Sequence, residues 1–411
     1  MGLKQSYEDW HNHPKHPHVH WATFISISVI AVFFITNQIN LTYNPDFGLG
    51  VQTTEAQALP TRLIQQADLI HQGSFTLPDT LNTVGNIGFG YVQGRLAFNP
   101  ANNSLFMVGH VWDQQVAEIS IPALGGVAGV IQTFRDPLEG RVALINPGDG
   151  GRADGQIGGM WVIGNKLILA VYSYYDGGGT AAFSHFVRST NLSTPSVQGP
   201  FKVGSGYAGD FAGYFTAIPT EWQSALGGTL LNGACCHAIA SLWSWGPAIG
   251  TVNPADLLAA RNPSPATRLI YYPDTNPYTT RIEQSDFYNG VTEVNGALLV
   301  PGTRTILFFG KHGTGFPTYI PGGGPSAPPN RPQVWAFDVN EMIAVKNGTK
   351  QTYDVRPYAT FAMPGINGDL MAGAAYDPAT GRLFITEYAG DGVKARIHVF
   401  TIAGSTLTPY S

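Results

Sequence analysis

A short motif that places a carboxylate or an amide just before a glycine and an apolar strand occurs five times in this 411-residue chain. Its copies begin at Asn86, Asp154, Asp210, Asp286 and Asp369. Successive copies are 68, 56, 76 and 83 residues apart. This periodicity predicts that the polar groups occupy equivalent positions in a repeat architecture. An Asp before a tight turn also caps backbone N–H groups, which is the structural alternative for each copy.

Each motif is followed by a second apolar strand that ends in a His or a Tyr. These strand ends are His110, Tyr174, His237, His312 and Tyr388. In a ring of repeats they lie on the same face as the motif carboxylates. Neutral imidazoles with carboxylates suit Zn, Fe or Mn, whereas carboxylates and carbonyls alone suit Ca. The sequence therefore predicts a divalent-metal site formed by His110, His237 and His312.

Aromatic residues and carboxylates are predicted to lie together on this face. Tyr172 and Tyr174 precede a Gly-rich turn, and Asp154 and Tyr388 occupy matching places in their repeats. Sugar rings stack on flat apolar faces while their hydroxyls require hydrogen-bond acceptors. These four residues are therefore candidates for binding a glycan or another small molecule.

The composition indicates an all-β protein with many turns. The chain has 50 Gly and 29 Pro, is 44% hydrophobic and is only 12% charged, about half the usual share of charged residues. Four strands accompany each motif, which predicts a five-bladed β-propeller. A sixth blade within a Pro-rich stretch, a sandwich and a two-domain β protein are the alternatives. A net charge of −5 without a basic block argues against nucleic-acid binding.

The ends of the repeat region are predicted to meet. The last repeat stops after its third strand, near Ile402, and lacks an outer strand of its own. Residues 73–78, before the first repeat, have the character of the other outer strands. Pairing of Ser74–Leu77 with Ala395–Thr401 would close the ring and remove exposed strand edges. The motif glycines are expected to let innermost strands approach closely at the axis.

The N-terminal region is predicted to be a membrane anchor. Residues 21–41 lie within a stretch without formal charge, and as a helix they would span about 31 Å. Lys4 and Lys15 precede this segment, which places the bulk of the chain outside the cytoplasm, in the periplasm or the extracellular space. A cleaved signal peptide is the alternative. The predicted organisation is a His-rich cytoplasmic tail (1–20), a transmembrane helix (21–41), a linker (42–72) and a propeller (73–411).

At the level of its repeats, the chain resembles five-bladed propellers over residues 73–402, including glycoside hydrolases with that fold. In such propellers the face that carries the motifs opens into a funnel around the ring axis. The resemblance implies a general acid and a base or nucleophile at the centre of this funnel. The residues available for those roles are Asp210, Asp286, Asp369 and Glu293.

The adjacent Cys235 and Cys236 are predicted to form a vicinal disulfide or to remain thiols beside the funnel, with two buried strand residues as the alternative. The pair resembles the vicinal disulfide near the cofactor of quinoprotein alcohol dehydrogenases. Those enzymes have eight blades and a Trp docking motif that is absent here, so their cofactor is not carried over.

Two functional hypotheses follow from these features. The first is a membrane-anchored extracytoplasmic propeller that carries out metal-dependent hydrolytic or redox chemistry in an Asp/His-lined funnel. The second is a non-enzymatic surface module that binds glycans or a partner protein through the same face.

Overall fold

The computed structural model describes residues 39–44, 48–53, 58–79, 88–149, 154–235, 244–273, 288–289, 291–315, 318–320 and 324–408. The chain divides into two compact units, Met1–Ala58 and Leu59–Ser411. The described part of the first unit is an antiparallel hairpin of β1 (Ile39–Asn44) and β2 (Gly48–Thr53). Residues 59–72, expected to be a linker, belong to the second unit.

The predicted membrane span is only partly within the described residues. Its last three residues, Ile39–Leu41, lie in β1, and residues 21–38 lie outside the described ranges. No helix among the residues that the structure describes is long and apolar enough to cross a membrane.

The second unit is a five-bladed β-propeller, as the repeats predicted, and each blade is a four-stranded antiparallel sheet. A strand that precedes the blades is β3 (Leu69–Thr76). Blade 1 contains β4 (Leu96–Asn99), β5 (Ser104–Val108), β6 (Val116–Ser120) and β7 (Val130–Arg135). Blade 2 contains β8 (Gly155–Ile163), β9 (Lys166–Ser173), β10 (His185–Ser189) and β11 (Gln198–Phe201). Blade 3 contains β12 (Phe215–Ala217), β13 (Leu230–Gly233), β14 (Ile249–Val252) and β15 (Ala266–Ile270).

Blade 4 carries an additional hairpin between its second and third strands. Its strands are β16 (Glu293–Leu299), β17 (Thr305–Gly313), the hairpin strands β18 (Thr318–Ile320) and β19 (Gly324–Ser326), then β20 (Asn330–Asp338) and β21 (Ala359–Phe361). Blade 5 contains β22 (Met371–Asp377), β23 (Arg382–Asp391) and β24 (Lys394–Ile402). Its fourth, outer strand is β3.

Ring closure occurs as predicted from the missing outer strand of the last repeat. Strand β3 pairs antiparallel with β24, with Thr76 opposite Arg396, Phe75 opposite Ile397 and Leu69 opposite Ile402. The first ordered strand of the unit therefore completes the last blade, and neither end of the ring leaves an open edge.

Glycines at the start of the inner strands permit the blades to meet at the axis. A Cβ atom on Gly158 would come within 2.0 Å of the carbonyl oxygen of Ala212, which precedes the inner strand of the next blade. A Cβ on Gly373 would come within 2.1 Å of the carbonyl oxygen of Gly94. Both glycines belong to the repeated motif, so its glycine serves close backbone approach, as predicted.

The core consists of apolar layers between neighbouring blades. Five buried clusters each join two consecutive blades around the ring. All five residues of β5 are buried, because a second strand is covered on both faces by adjacent blades. The periodic apolar strands thus stabilise the ring as a whole rather than single sheets.

The α-helices occupy turns on the face opposite the repeated motifs. They are α1 (Thr220–Leu226), α2 (Pro254–Leu258) and α3 (Val339–Lys346). Side chains cap two of them, since Asn253 accepts from the backbone N–H of Ala255 and Asp338 accepts from that of Asn340. Short 3₁₀ helices comprise Gln66–Asp68, Val142–Ile145, Pro147–Asp149, Ala208–Phe211 and Thr352–Asp354.

Candidate functional site

A cluster of polar side chains lies on the propeller axis and is centred on Arg95. This residue precedes β4 of blade 1 and is only 3% exposed. Its guanidinium donates a hydrogen bond to the carbonyl of Ala372 in blade 5. Its Nη2 lies 3.3 Å from Sγ of Cys235, which follows β13 of blade 3. Blades 1 and 3 are not neighbours in the ring, so this contact can form only across the central channel.

The surroundings of Arg95 compensate its buried charge. Burial lowers the pKa of Arg95, whereas the Tyr172 hydroxyl and the Glu293 carboxylate oppose that shift. An unpaired cation at such a depth would be strongly destabilising. The cluster therefore places a positive charge, with acceptors around it, at the floor of the funnel.

Two amides and a phenol extend the cluster between blades 1 and 2. The Tyr172 hydroxyl donates to Oε1 of Gln156 over 2.7 Å, and Nε2 of Gln93 lies 3.2 Å from the same oxygen. Burial raises the pKa of Tyr172 despite the opposing charge of Arg95, so this phenol remains a donor at neutral pH. Oε1 of Gln93 is buried without a hydrogen-bond partner among the described residues, and this leaves an acceptor inside the cluster.

A carboxylate and an ammonium group lie above this floor, on blade 4. Oε2 of Glu293 lies 3.0 Å from Nζ of Lys311, and their side chains are 15% and 24% exposed. The charge of Glu293 is the main cause that raises the pKa of Lys311, and Asp369 of blade 5 adds to it. Nδ2 of Asn295 donates to Glu293 and to the carbonyl of Met371. The charged side chains are therefore least accessible at Arg95 and more accessible at the Glu293–Lys311 ion pair above it.

Backbone bulges direct these groups to the axis. The inner strands of blades 2, 4 and 5 each shift register against the second strand, at Gly158, Asn295 and Ala372 respectively. A bulge inserts one residue and re-aims the side chain or carbonyl next to it. Two of the three bulged residues, Asn295 and Ala372, supply an amide and a carbonyl to the cluster.

Exposed aromatic residues border the funnel. Tyr174 is 42% exposed and Tyr388 is 37% exposed. The backbone N–H of Tyr174 donates to the carbonyl of Asp154, and that of Tyr388 donates to the carbonyl of Leu370, next to Asp369. Each tyrosine is thus fixed beside a motif carboxylate, so the predicted association of aromatics with carboxylates is present at two blades.

The loop that carries Tyr174 is held by a buried carboxylate, Asp176. Its oxygens accept hydrogen bonds from the backbone N–H groups of Thr180 and Ala181 and from the Tyr207 hydroxyl. Burial alone would raise the pKa of Asp176, but these hydrogen bonds outweigh it and lower the pKa below its usual value. The aromatic rim of blade 2 is therefore presented on a fixed loop.

Replacing Asp176 with Ala is expected to destabilise the protein by about 2–3 kcal/mol, because two backbone donors and the hydroxyls of Thr180 and Tyr207 lose their acceptor. Chemical denaturation monitored by tryptophan fluorescence measures the change. Asp154→Ala is the matched control in the same blade, since among the described residues the Asp154 side chain accepts a hydrogen bond from the Ser173 hydroxyl alone, and a loss of about 1 kcal/mol is expected. Equal losses for both variants would contradict the anchoring role.

The predicted catalytic carboxylates do not lie together in one site. Glu293 belongs to the axial cluster and Asp369 lies exposed near Lys311. Asp210 is buried and forms an ion pair with Arg268 on β15, the outer strand of blade 3, so it is not brought into the axial cluster. Asp286 lies outside the described residues.

The predicted histidine ligands have separate environments. His110 packs edge-on against Tyr91, with ring centroids 6.0 Å apart. His312 is 4% exposed and its Nδ1 lies 3.2 Å from the Thr292 hydroxyl. His237 lies outside the described residues. Across the described ranges, no three His, Cys, Asp or Glu side chains are grouped as a metal site.

Tyr172 was predicted to contribute an exposed aromatic ring for ligand binding, but the structure buries it. It is 6% exposed and forms part of the axial floor, because β9 continues to Ser173 and turns outward only at Tyr174. Cys235 is disulfide-bonded, and the only other cysteine in the chain is Cys236.

Sequence reasoning missed Arg95, Gln93, Gln156, Asn295 and Lys311. A signal was present for Arg95, because a charged residue directly before an apolar strand is unusual in a chain with so few charges. The amides carry no comparable signal, since Asn and Gln are common in turns throughout the sequence.

Comparisons with solved structures find matches at very low sequence identity. A luciferin-regenerating enzyme matches at 8% identity over 90% of this chain and 85% of its own, with a TM-score of 0.33. An alpha-L-arabinanase mutant from Cellvibrio cellulosa matches at 10% identity over 76% and 91%, with a TM-score of 0.41. A glycosyl hydrolase from Bacteroides ovatus matches at 12% identity over 86% and 97%, with a TM-score of 0.40.

No protein-family model matches the sequence, and no curated protein matches it. The assignment as a propeller therefore rests on the strand pairing of this chain.

Proposed function

We propose that the motif-bearing face of the propeller binds a carbohydrate. The observation that carries the proposal is the graded polar funnel, in which Arg95 forms the floor and Glu293 and Lys311 lie above it, with Tyr174 and Tyr388 at the rim. Sugar hydroxyls require donors and acceptors, and sugar rings stack on exposed aromatic faces. The amides of Gln93, Gln156 and Asn295 supply both kinds of hydrogen-bonding group. A saccharide end inserted toward the axis would meet them.

Glycoside hydrolysis at the same funnel is the second candidate. It is favoured by the proximity of two carboxylates, Glu293 and Asp369, which both raise the pKa of Lys311. Glu293 lies 3.0 Å from the Lys311 ammonium group and near the Arg95 guanidinium, a position that suits a base or nucleophile. Asp369 is the exposed carboxylate available as the partner acid. Such a pair is the requirement for both retaining and inverting hydrolysis.

Glu293→Gln and Tyr174→Ala are each expected to weaken saccharide binding about tenfold, corresponding to about 1.4 kcal/mol. The first removes the central negative charge and the second a stacking surface. A glycan array with the full-length protein identifies the saccharide, and calorimetry then measures the affinity of each variant. Asp256→Asn is the control, because Asp256 lies in α2 on the opposite face and pairs only with Arg261 at the surface.

The outcomes separate the two candidates. Release of reducing ends by the wild type, abolished in Glu293→Gln, supports hydrolysis, whereas binding without turnover supports a binding module. An array without any bound saccharide, or unchanged affinity in both variants, would overturn the carbohydrate proposal.

We also propose, from the sequence alone, that the part of the predicted span that precedes β1, residues 21–38, anchors the chain in a membrane with the propeller in the periplasm or outside the cell. Metal dependence through His110, His237 and His312 remains a proposal of the same kind. Elemental analysis of the full-length protein tests it, and a metal lost in His110→Ala and His312→Ala would support it.

A further inference from the structure

A chain of three titratable side chains crosses the closing blade. Nε2 of His71, on β3, lies 3.0 Å from Nδ1 of His398 on β24. Nε2 of His398 lies 2.8 Å from Oε2 of Glu387 on β23. His398 and Glu387 are 3% and 5% exposed, and His71 is half-buried. The chain therefore connects the outer strand of blade 5 to its interior.

The inner end of this chain holds a turn that leads into the candidate site. Oε1 of Glu387 accepts hydrogen bonds from the backbone N–H groups of Asn367 at 2.9 Å and Gly368 at 2.6 Å. Asp369, which follows Gly368 in the sequence, is exposed at the funnel. Tyr388 of the rim directly follows Glu387.

The outer end contacts the same turn. A Cβ atom on Gly365 would come within 2.6 Å of Nδ1 of His71, so the turn lies directly against this imidazole. Residues 364–368 are thus held at two points, by His71 and by Glu387. These five residues have no titratable side chain.

The hydrogen-bond pattern is satisfied when Glu387 is ionised and both imidazoles are neutral. The Glu387 carboxylate accepts a hydrogen bond from the Nε2–H of His398. Nδ1 of the neutral His398 ring then has no proton and accepts a hydrogen bond from the Nε2–H of His71. Protonation of both imidazoles would place two N–H groups opposite each other at 3.0 Å, with no tautomer left that could accept. That arrangement removes the hydrogen bond and adds like-charge repulsion.

We propose that His71, His398 and Glu387 form an acid-sensitive latch that positions residues 364–368 and thereby Asp369. Its relevance to ligand binding rests on the proposed function, whereas the latch itself does not. At neutral pH the three groups hold the turn, and protonation releases it. The charged groups around His398 are Glu387 on β23, His71 on β3 and Arg396 on β24 itself.

The pKa shifts have the sign that a latch requires. Burial, the His71 ring and the Arg396 charge lower the pKa of His398, although Glu387 opposes them. Burial opposes ionisation of Glu387, but bonds from His398, Gly368 and Asn367 lower the pKa of that carboxyl. At acid pH both groups bind fewer protons in the folded state than in the unfolded state. Their contribution to the free energy of unfolding is therefore fully present above pH 6.5 and decreases as the pH falls.

Hydrogen exchange of the peptide spanning residues 362–370 in the full-length protein tests the latch at pH 7.5 and pH 5. After correction for intrinsic rates, protection is expected to fall about tenfold per pH unit for each proton taken up on opening. His71→Gln and His398→Gln should each show weaker pH dependence than the wild type, because a glutamine in place of either imidazole removes the facing pair of charged rings. Glu387→Gln should show lower protection at both pH values.

Glu118→Gln is the matched control. Glu118 is a fully buried carboxylate of blade 1 that accepts from Ser104, Asn99 and other polar side chains but from no histidine. This variant should retain the pH dependence of the wild type. Equal protection of the wild type at both pH values, or an unchanged pH dependence in His71→Gln, would overturn the latch. The half-buried His71 keeps this test decisive even if His398→Gln does not fold.

The two proposals fail in different ways. Loss of saccharide binding at pH 7.5 in every assay, with pH-dependent exchange intact, would reject the carbohydrate proposal and leave the latch. Saccharide binding at pH 7.5 with pH-independent exchange would reject the latch and leave the binding site.

Discussion

Deletion of residues 1–76 is expected to abolish cooperative folding of the propeller. The deletion removes β3, which supplies the outer strand of blade 5, together with the buried Ile64, Leu69 and Phe75. Each of these side chains contributes about 1.5–3 kcal/mol by burial. Their sum approaches the total stability of about 5–15 kcal/mol for a folded domain. Circular dichroism and calorimetry of the purified variant should show no cooperative thermal transition.

Deletion of residues 1–57 is the matched control, because the compact unit begins at Leu59 and keeps β3. Its melting temperature is expected to equal that of the full-length protein. A variant without residues 1–76 that melted cooperatively at the full-length temperature would show that ring closure does not stabilise the domain.

Arg95→Ala is expected to destabilise the protein by about 3–5 kcal/mol, the range observed when one partner of a buried charged network is removed. The substitution leaves the carbonyl of Ala372 without its donor and removes a cation near Glu293. Because the side chain reaches blades 3 and 5 from blade 1, its loss affects the contact of all three at the axis. Urea denaturation measures the change in the free energy of unfolding.

Arg135→Ala is the control for this substitution, since Arg135 is exposed on β7 and, within the part of the chain that the structure describes, its side chain donates only to the adjacent carbonyl of Phe134. A change within about 0.5 kcal/mol is expected there. If Arg95→Ala unfolded at the same urea concentration as Arg135→Ala, the axial cluster would not be a stabilising element. Arg95→Lys should recover part of the loss, because an ammonium group restores the charge but not both directed contacts.

Much of the fold was predictable because its signals are local and repeated. The motif glycines, exemplified by Gly158 and Gly373, mark where inner strands approach, and the missing outer strand after Ile402 indicated that β3 closes the ring. Exposed tyrosines beside carboxylates were predictable for the same reason, since Tyr174 and Tyr388 occupy matching strand ends.

The composition of the axial cluster was not predictable from these signals. Tyr172 and Tyr174 are two residues apart and were expected to share an environment, but the end of β9 at Ser173 buries the first and exposes the second. Asp210 carries the same motif as Asp369, yet Arg268 on the outer strand holds it away from the funnel. Such differences depend on where each strand ends and on which cation lies nearby.

The sequence by itself indicated the repeats, their antiparallel strands and the closure of the ring, because repeated glycines, apolar strands and a missing last strand are properties of neighbouring residues. Only the tertiary structure decided which polar groups meet at the axis. Arg95 and Cys235 are 140 residues apart and lie on blades that are not neighbours in the ring. Their meeting depends on the curvature of the closed ring and on the bulges that turn Asn295 and Ala372 inward. Neither is encoded by a pattern within one repeat, since the geometry arises from packing five unequal blades together.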